Sequence, residues 1–326
     1  MKATAIAPSN IAFVKYWGNA DPQLNIPFNS SISMNLSAAQ TRTTVEYDPA
    51  FTGDTLVIDD QPITGAAKAR VSRHLDRIRA LAHTDSYARV VSENNFPMGT
   101  GIASSAAAFA ALSVAGTAAL GVDLNQRQLT ELARLGSGSA ARSIPDGYVE
   151  LKAGGGHTTA FAYTLYAPDY WGLRDIVVIV SREEKSVGSS EGHAAAETSP
   201  HFTPRLAELP ARLKIVRQAI RNRDIEALGE AAEADAISLH VVTMTSRPPI
   251  YYWAPGTIRL IHAVQEWRHD GLPVYFTLDA GPNVHLICEA EHEADVLVRL
   301  ADIDDVLETL VSQPAEGARL TDNHLF

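Results

Sequence analysis

The chain reads as a two-lobed α+β protein, and three observations lead there. Its 326 residues, 46% of them hydrophobic, exceed what one core usually serves, since single cores stop growing at about 250–300 residues. Strand-period runs are mixed with antiparallel hairpin signals, and helical stretches gather in blocks instead of alternating strictly with strands. Finally, Asp-Ile-Val-Val-Ile-Val-Ser at 175–181 is a continuous apolar strand, the expected crossing between lobes. The expected division is therefore 1–180 and 181–326.

From the N-terminus, residues 3–17 predict a strand leading into a polar loop, 18–29. Asn-Ser-Ser-Ile-Ser-Met-Asn-Leu-Ser follows with period two, and 43–47 and 55–59 predict short strands. Residues 66–83 predict an amphipathic helix with Val71, Leu75, Ile78 and Leu81 as its stripe. A strand at 88–92 feeds Pro-Met-Gly-Thr-Gly-Ile-Ala-Ser-Ser-Ala-Ala, a glycine-punctuated loop opening an Ala-rich helix over 106–119. Gly99 and Gly101 let the backbone approach an anion, the free amides of the helix's first turn point at it, and Ser104 and Ser105 add hydroxyls. The spacing is not that of the common P-loop and the loop has no lysine, so taken alone it is equally an ordinary turn capping a buried helix. Next come a helix at 125–135 with Asn125 as N-cap and Gly136 as its stop, strands around 157–163, and the strand at 175–181. Helices at 204–222, 224–244 and 256–269 precede a hairpin of 274–279 and 284–290, and the last helix is expected over 291–311.

Composition excludes several functions. There are 27 basic against 38 acidic residues, a net charge of −11, with the basic residues dispersed, which argues against nucleic acid as a partner. An anionic substrate would need a local basic pocket. The single cysteine, Cys288, sits in an apolar run, excludes an internal disulfide and reads as a core residue. No targeting segment is evident, and the uncharged stretch 105–122 is too Ala-rich to insert in a membrane, so a cytosolic protein is expected.

Five segments in order carry a resemblance: Ala7-Pro8-Ser9-Asn10-Ile11-Ala12 with Lys15-Tyr16-Trp17-Gly18; Asn29-Ser30-Ser31-Ile32-Ser33; Val91-Ser92-Glu93-Asn94-Asn95-Phe96-Pro97 with its loop; Gly136-Ser137-Gly138-Ser139-Ala140-Ala141-Arg142-Ser143; and Asp279-Ala280-Gly281-Pro282-Asn283. Together they closely resemble the diphosphomevalonate decarboxylases of the galactokinase, homoserine kinase, mevalonate kinase and phosphomevalonate kinase superfamily. The resemblance implies a small-molecule-kinase-like fold, with an N-terminal lobe like domain 2 of ribosomal protein S5 that binds ATP. A ferredoxin-like C-terminal lobe would contribute the catalytic aspartate. It also implies Mg2+ and a homodimer. The implied reaction phosphorylates a tertiary C3 hydroxyl with ATP; loss of that phosphate leaves positive character at C3, and the neighbouring carboxylate departs as CO2.

By the same resemblance, Asp279 would orient or deprotonate the C3 hydroxyl, Arg142 would hold the substrate carboxylate and the aspartate in one network, and Lys15 would stand near the transferred phosphate. Asn10 and Tyr16 would contact substrate, and Ser137, Gly138 and Ser139 would hold its C5 phosphate. Asn95, Pro97, Gly99, Gly101, Ala103, Ser104 and Ser105 would bind ATP, with Ser105 as the Mg2+ ligand. Taken alone, Asp279 could merely open a turn.

Two departures from the pattern bear on substrate. Asn19 stands where a lysine is usual after Lys-Tyr-Trp-Gly. In Gly188-Ser189-Ser190-Glu191, an acid occupies a place where some bacterial relatives carry a diphosphate-binding arginine. Ser190 and Glu191 are thus expected beside a pocket for one phosphate, making mevalonate 5-phosphate the expected substrate and isopentenyl phosphate the product. Arg73, Lys185 or a protonated His193 could instead restore the charge for a diphosphate. The other readings are a C3 kinase that stops at the phosphate ester and a non-catalytic nucleotide-binding regulator.

Overall fold

The structure, a computed structural model, describes residues 1–96, 104–183 and 185–326. It is α+β with two principal sheets. β1 (Lys2–Val14) is followed by a small hairpin, β2 (Asn19–Asp21) and β3 (Ile26–Pro27), and then by β4 (Ser31–Asp48). β4 is one 18-residue strand where the sequence suggests two pieces. β5 (Thr55–Ile58), β6 (Gln61–Pro62), α1 (Gly65–Ala82) and β7 (Tyr87–Asn94) follow. α2 (Ser104–Ala119) and α3 (Gln126–Gly136) then lead through a 3-10 turn, Gly138–Ser143, to β8 (Tyr148–Lys152) and β9 (Phe161–Tyr166). Asn125 caps α3 as expected, in a reciprocal box with Gln128, but Gly136 is the last helical residue and the break falls at Ser137, in extended conformation. The strand expected around 157–163 splits, because His157–Thr159 forms a 3-10 turn before β9.

These strands build the first sheet in the order β14-β1-β4-β7-β5-β6, with β8 and β9 branching from β4; the β5–β7 pair is parallel and the others antiparallel. The second sheet runs β11-β12-β10-β13, all antiparallel, from β10 (Leu173–Ile179), β11 (Tyr275–Leu278), β12 (Val284–Glu289) and β13 (Glu308–Ser312). Between β10 and β11 lie α4 (Ser189–Ala195), α5 (Phe202–Asn222), α6 (Ile225–Thr245) and α7 (Pro255–His269); α8 (Glu293–Leu300) follows β12.

The expected terminal helix over 291–311 is corrected. α8 stops at Leu300, and after the Asp302-Ile303-Asp304-Asp305 turn the chain enters β13, where Leu310 packs on one core cluster and Val311 on another. Alternation across two faces is strand behaviour, and pairing with β10 decides it. A last strand, β14 (Arg319–Thr321), had no counterpart in the sequence reading and returns to pair with β1.

The first sheet is covered on both faces. On one side Ala5, Ala7, Val45 and Val90 meet α1, α2 and α3 through Leu75, Ala110 and Ala133; on the other Ile11, Phe13, Ile32 and Met34 meet Leu213 and Val216 of α5 and Leu228 of α6. The register of β1 against β4 shifts between Pro8 and Asn10. Odd residues before the shift face α2, odd residues after it face α5 and α6, so Asn10 and Ala12 are re-aimed toward the Gly138–Ser143 turn and the cavity. Cys288 is a buried core residue, its thiol pushed up to about 12 by burial. Among the described residues no helix is long and apolar enough to cross a membrane.

α6 crosses β11 closely only because Gly229 lacks a side chain: a Cβ there would stand 1.9 Å from the Tyr275 ring. Gly229→Ala is therefore expected to lower the unfolding free energy by about 1–3 kcal/mol, the usual cost of overpacking, read as a lower urea midpoint with an unchanged slope. An unshifted midpoint would show that the crossing yields without strain.

Candidate active site

A cavity of about 1070 Å³ opens between the end of β1, the turn after α3, α1, α4 and the β11–β12 connection. Among the described residues it is lined by six cationic side chains, Lys15, Arg70, Arg73, Arg77, Arg142 and Lys185, against two carboxylates, Glu197 and Asp279. In a chain of net charge −11 this is a focused positive site.

Lys15 and Asp279, 264 residues apart, form an ion pair of 2.7 Å, with the lysine side chain buried and the aspartate a quarter open to the cavity. Burial would by itself raise the Asp279 carboxyl, but Lys15, then His285 and Arg142, outweigh it and hold the carboxyl below its ordinary range. The backbone of Lys15 is gripped as firmly: its N–H donates to Asp235 Oδ2 at 2.7 Å, and its carbonyl accepts from Arg205 and Asn29. Asp235 is itself fully buried and bonded by Arg205 and Arg212. Sequence reasoning missed this clamp, which joins α5 and α6 to β1.

Arg142 is buried and held by Asn10 Oδ1, which accepts from Nε and an Nη, and by Ser31 Oγ at 2.7 Å. Burial pulls its pKa down to about 10, so it remains a cation at neutral pH. It makes no direct ion pair with Asp279. Asn10, expected to contact substrate, supports Arg142 here: its amide donates to Ser143 and the carbonyl of Ser139, its oxygen accepts from Arg142, and it is not among the residues that line the cavity.

Ser105, Ser137, Gly138 and Ser139 do line it, with the hydroxyls of Ser105, Ser137 and Ser139 in one chain at 3.1 and 3.3 Å. Gly138 is required by Tyr16, whose ring would stand 2.3 Å from a Cβ there. Burial raises the Tyr16 hydroxyl above its ordinary range, keeping it a donor, and it bonds Asn19 Oδ1. Asn19 and Ser190 line the cavity; Glu191 does not. Glu191 is exposed, and its carboxylate accepts from the Gly188 N–H at the start of α4. Asn95 serves the backbone of Gln40. Of the glycine-rich loop, Pro97, Gly99, Gly101 and Ala103 lie outside the described residues, and Ser104 opens α2.

Of the charges that could replace the missing lysine, His193 is held neutral, pulled down to about 3 by burial and then by Arg142 and Lys185. Lys185 is also lowered by burial and donates to Ser189 Oγ and the Ala280 carbonyl, both at 3.0 Å. Arg73 lines the cavity with no protein partner. Arg70 and Arg77, not singled out from the sequence, flank it and bond the carbonyls of Gly136 and Leu135. Their 70, 73, 77 spacing on α1 is one helix face, the signal that could have revealed them.

Residues 7–162 match the diphosphomevalonate decarboxylase-like N-terminal domain, and residues 175–319 match the mevalonate 5-diphosphate decarboxylase C-terminal domain. The chain is 34% identical to a phosphomevalonate decarboxylase of Haloferax volcanii, over 93% of each chain. It belongs to the diphosphomevalonate decarboxylase family. Other family relatives include the diphosphomevalonate decarboxylase of Saccharomyces cerevisiae, 34% identical over 90% of this chain and 79% of the yeast one. A solved complex of MDDEF with MVAPP, AMPPCP and magnesium superimposes with a TM-score of 0.94 at 33% identity, covering 98% of this chain and 99% of that one. The mevalonate diphosphate decarboxylase of Staphylococcus aureus gives 0.94 at 33% identity over 98% of both.

Because the Asp279 carboxyl lies below its ordinary range when folded, the stability it contributes is present above that range and is lost as pH falls through the lowered value. Lys15→Met removes the strongest opposition to burial and leaves only His285 and Arg142 against it, so the carboxyl midpoint should move upward, read by carbon-13 carboxylate NMR. An unmoved midpoint would show that Lys15 does not govern its ionisation.

Proposed function

We propose that this chain is an ATP-dependent decarboxylase converting mevalonate 5-phosphate to isopentenyl phosphate, with ADP, phosphate and CO2 as the other products. The observation that carries the reading is the Lys15–Asp279 pair, with Arg142 close enough to act on its ionisation, at a cationic cavity of an acidic family member. An ionised Asp279 orients the C3 hydroxyl and accepts its proton as the phosphoryl group arrives. Lys15 and Arg142 stabilise the charge that moves between the oxygens. When the C3 phosphate leaves, the carboxylate beside it supplies the electron pair for the alkene as CO2 departs. Asp279, a quarter open to the cavity, passes the hydroxyl proton on to solvent and then faces the electron-poor carbon as a carboxylate.

ATP and Mg2+ fit the residues present. The excess of cations matches a polyphosphate, and the Ser105 hydroxyl stands at the N-terminus of α2, where an anion is favoured. Among the described residues no cluster of three His, Cys, Asp or Glu side chains could hold a metal. Phosphate oxygens with Ser105 are therefore the ligand set we propose, and the ion would neutralise charge between the β- and γ-phosphates.

The monophosphate is favoured by Asn19, a neutral amide tied to Tyr16, and by the neutrality of His193. The Haloferax relative carries the corresponding name. Arg73 supports the diphosphate as a second reading, since it is a cavity cation with no protein partner.

Wild-type protein should turn over mevalonate 5-phosphate with a kcat/KM at least about tenfold above that for the 5-diphosphate, the worth of one cation-to-phosphate contact. Product analysis showing equal or better use of the diphosphate would select the second reading, and ATP use without CO2 release would select a kinase. Asp279→Asn should lower kcat by several orders of magnitude while the dissociation constant for ATP changes less than about threefold. Undiminished turnover would remove Asp279 from the mechanism.

A further inference from the structure

His193 is the one cavity histidine, and nothing in the reaction above uses it. Its ring is stacked between Tyr16, at a centroid distance of 4.4 Å, and Trp17, at 4.5 Å, both inclined by 33°. Its Nδ1 accepts from the Gly18 N–H at 2.9 Å. A backbone N–H can only donate, so Nδ1 must carry the lone pair and Nε2 must carry the proton. Gly18 can present that N–H because it has φ +85°, and a Cβ there would also stand 2.7 Å from the Phe202 ring. The ring is therefore fixed in plane, in position and in tautomer by its neighbours. Among the described residues its Nε2 has no hydrogen-bond partner and is not among the sealed polar atoms of the interior, while the residue lines the cavity.

The surroundings say which part of a substrate this donor meets. Tyr16, against which the ring stacks, is packed over Gly138 between Ser137 and Ser139, and its hydroxyl bonds Asn19. Ser190, three residues before His193 on α4, also lines the cavity. Hydroxyls, an amide and backbone N–H groups gathered in one place suit phosphate oxygens. We propose that His193 is a specificity-determining residue that donates from Nε2 to a terminal oxygen of the substrate's 5-phosphate. The inference rests on the reading given under Proposed function.

A neutral donor serves the two candidate tails unequally. It satisfies one oxygen of a monophosphate and adds no positive charge to offset the extra negative charge of a diphosphate. The electrostatic surroundings keep it so, burial, Arg142 and Lys185 all opposing protonation. His193 thereby acts with Asn19, another neutral group of the cavity, and both lie against Tyr16, which packs over Gly138 between Ser137 and Ser139.

His193→Phe keeps a ring between Tyr16 and Trp17 and removes the donor; His193→Gln restores an N–H donor without the ring. With ATP saturating, His193→Phe should raise the KM for mevalonate 5-phosphate about tenfold or more, change kcat less than about threefold and leave ATP affinity unaltered, and His193→Gln should recover part of the loss. Independently of turnover, wild-type protein labelled with nitrogen-15 histidine should show a lone-pair Nδ1 and a protonated Nε2 in the free state. The Nε2–H resonance should shift on addition of mevalonate 5-phosphate, or of inorganic phosphate at higher concentration. A His193→Phe protein with unchanged KM, or an Nε2–H signal indifferent to both phosphates, overturns the inference. So does a variant that loses kcat, ATP affinity and thermal stability together, which would mark the residue as structural only. If wild-type protein fails to turn over the 5-phosphate at all, the functional reading fails instead, and the nitrogen-15 titration with inorganic phosphate still decides whether His193 binds that group.

Discussion

Lys15 is held at both ends by carboxylates from the other half of the chain, and the site depends on that hold. Its ammonium pairs with Asp279 and its backbone N–H with Asp235, so the end of β1 is tied to the β11–β12 connection and to α6 at once. Asp235 is fully buried, and such a carboxylate is tolerable only because Arg205, Arg212 and the Lys15 N–H satisfy it together. The clamp therefore does two things. It joins the lobes through a polar core that cannot be half-made, and it places the ammonium within bonding distance of the cavity carboxylate Asp279.

The same economy governs the cations of the cavity. Arg142 has its fork filled by Asn10 and Ser31, while Arg70 and Arg77 lean on the carbonyls at the end of α3. Each guanidinium is thus oriented before any ligand arrives, so little side-chain entropy remains to be lost on binding. An acidic surface around a cationic interior suits a small anion and discourages large polyanions. Cations also stand beside the neutral side chains Asn19, Ser137, Ser139 and His193: Lys185 bonds Ser189, and Arg70 bonds the Gly136 carbonyl before the serine turn.

Much was legible in the sequence because it depends on local chemistry. The Asn125 cap, the apolar run that became β10 and the Asp279 turn each write their own signal within a few residues, whereas of the stripe expected on α1 Leu75 and Ile78 are buried and Leu81 is exposed. The error over 291–311 is of the opposite kind: Leu310 and Val311 fit a helical stripe as well as a strand, and only the open edge of β10 selects the strand. β14 is three residues long and carries no periodicity to read. The protein partners of Asn10 and Glu191 are not legible in the pattern either, because a register shift in one case and the N–H at the start of α4 in the other supply them.

Residue types and order therefore determined the kind of protein, its family and the identities of the three charged groups at its centre, because side-chain chemistry is fixed residue by residue. What the tertiary structure alone decided is who meets whom. The buried Asp235 clamp, the arginine face of α1 turned inward, and the pinned tautomer of His193 all join residues far apart along the chain. Charge, protonation and orientation at such points are set by neighbours in space, to which linear spacing is blind.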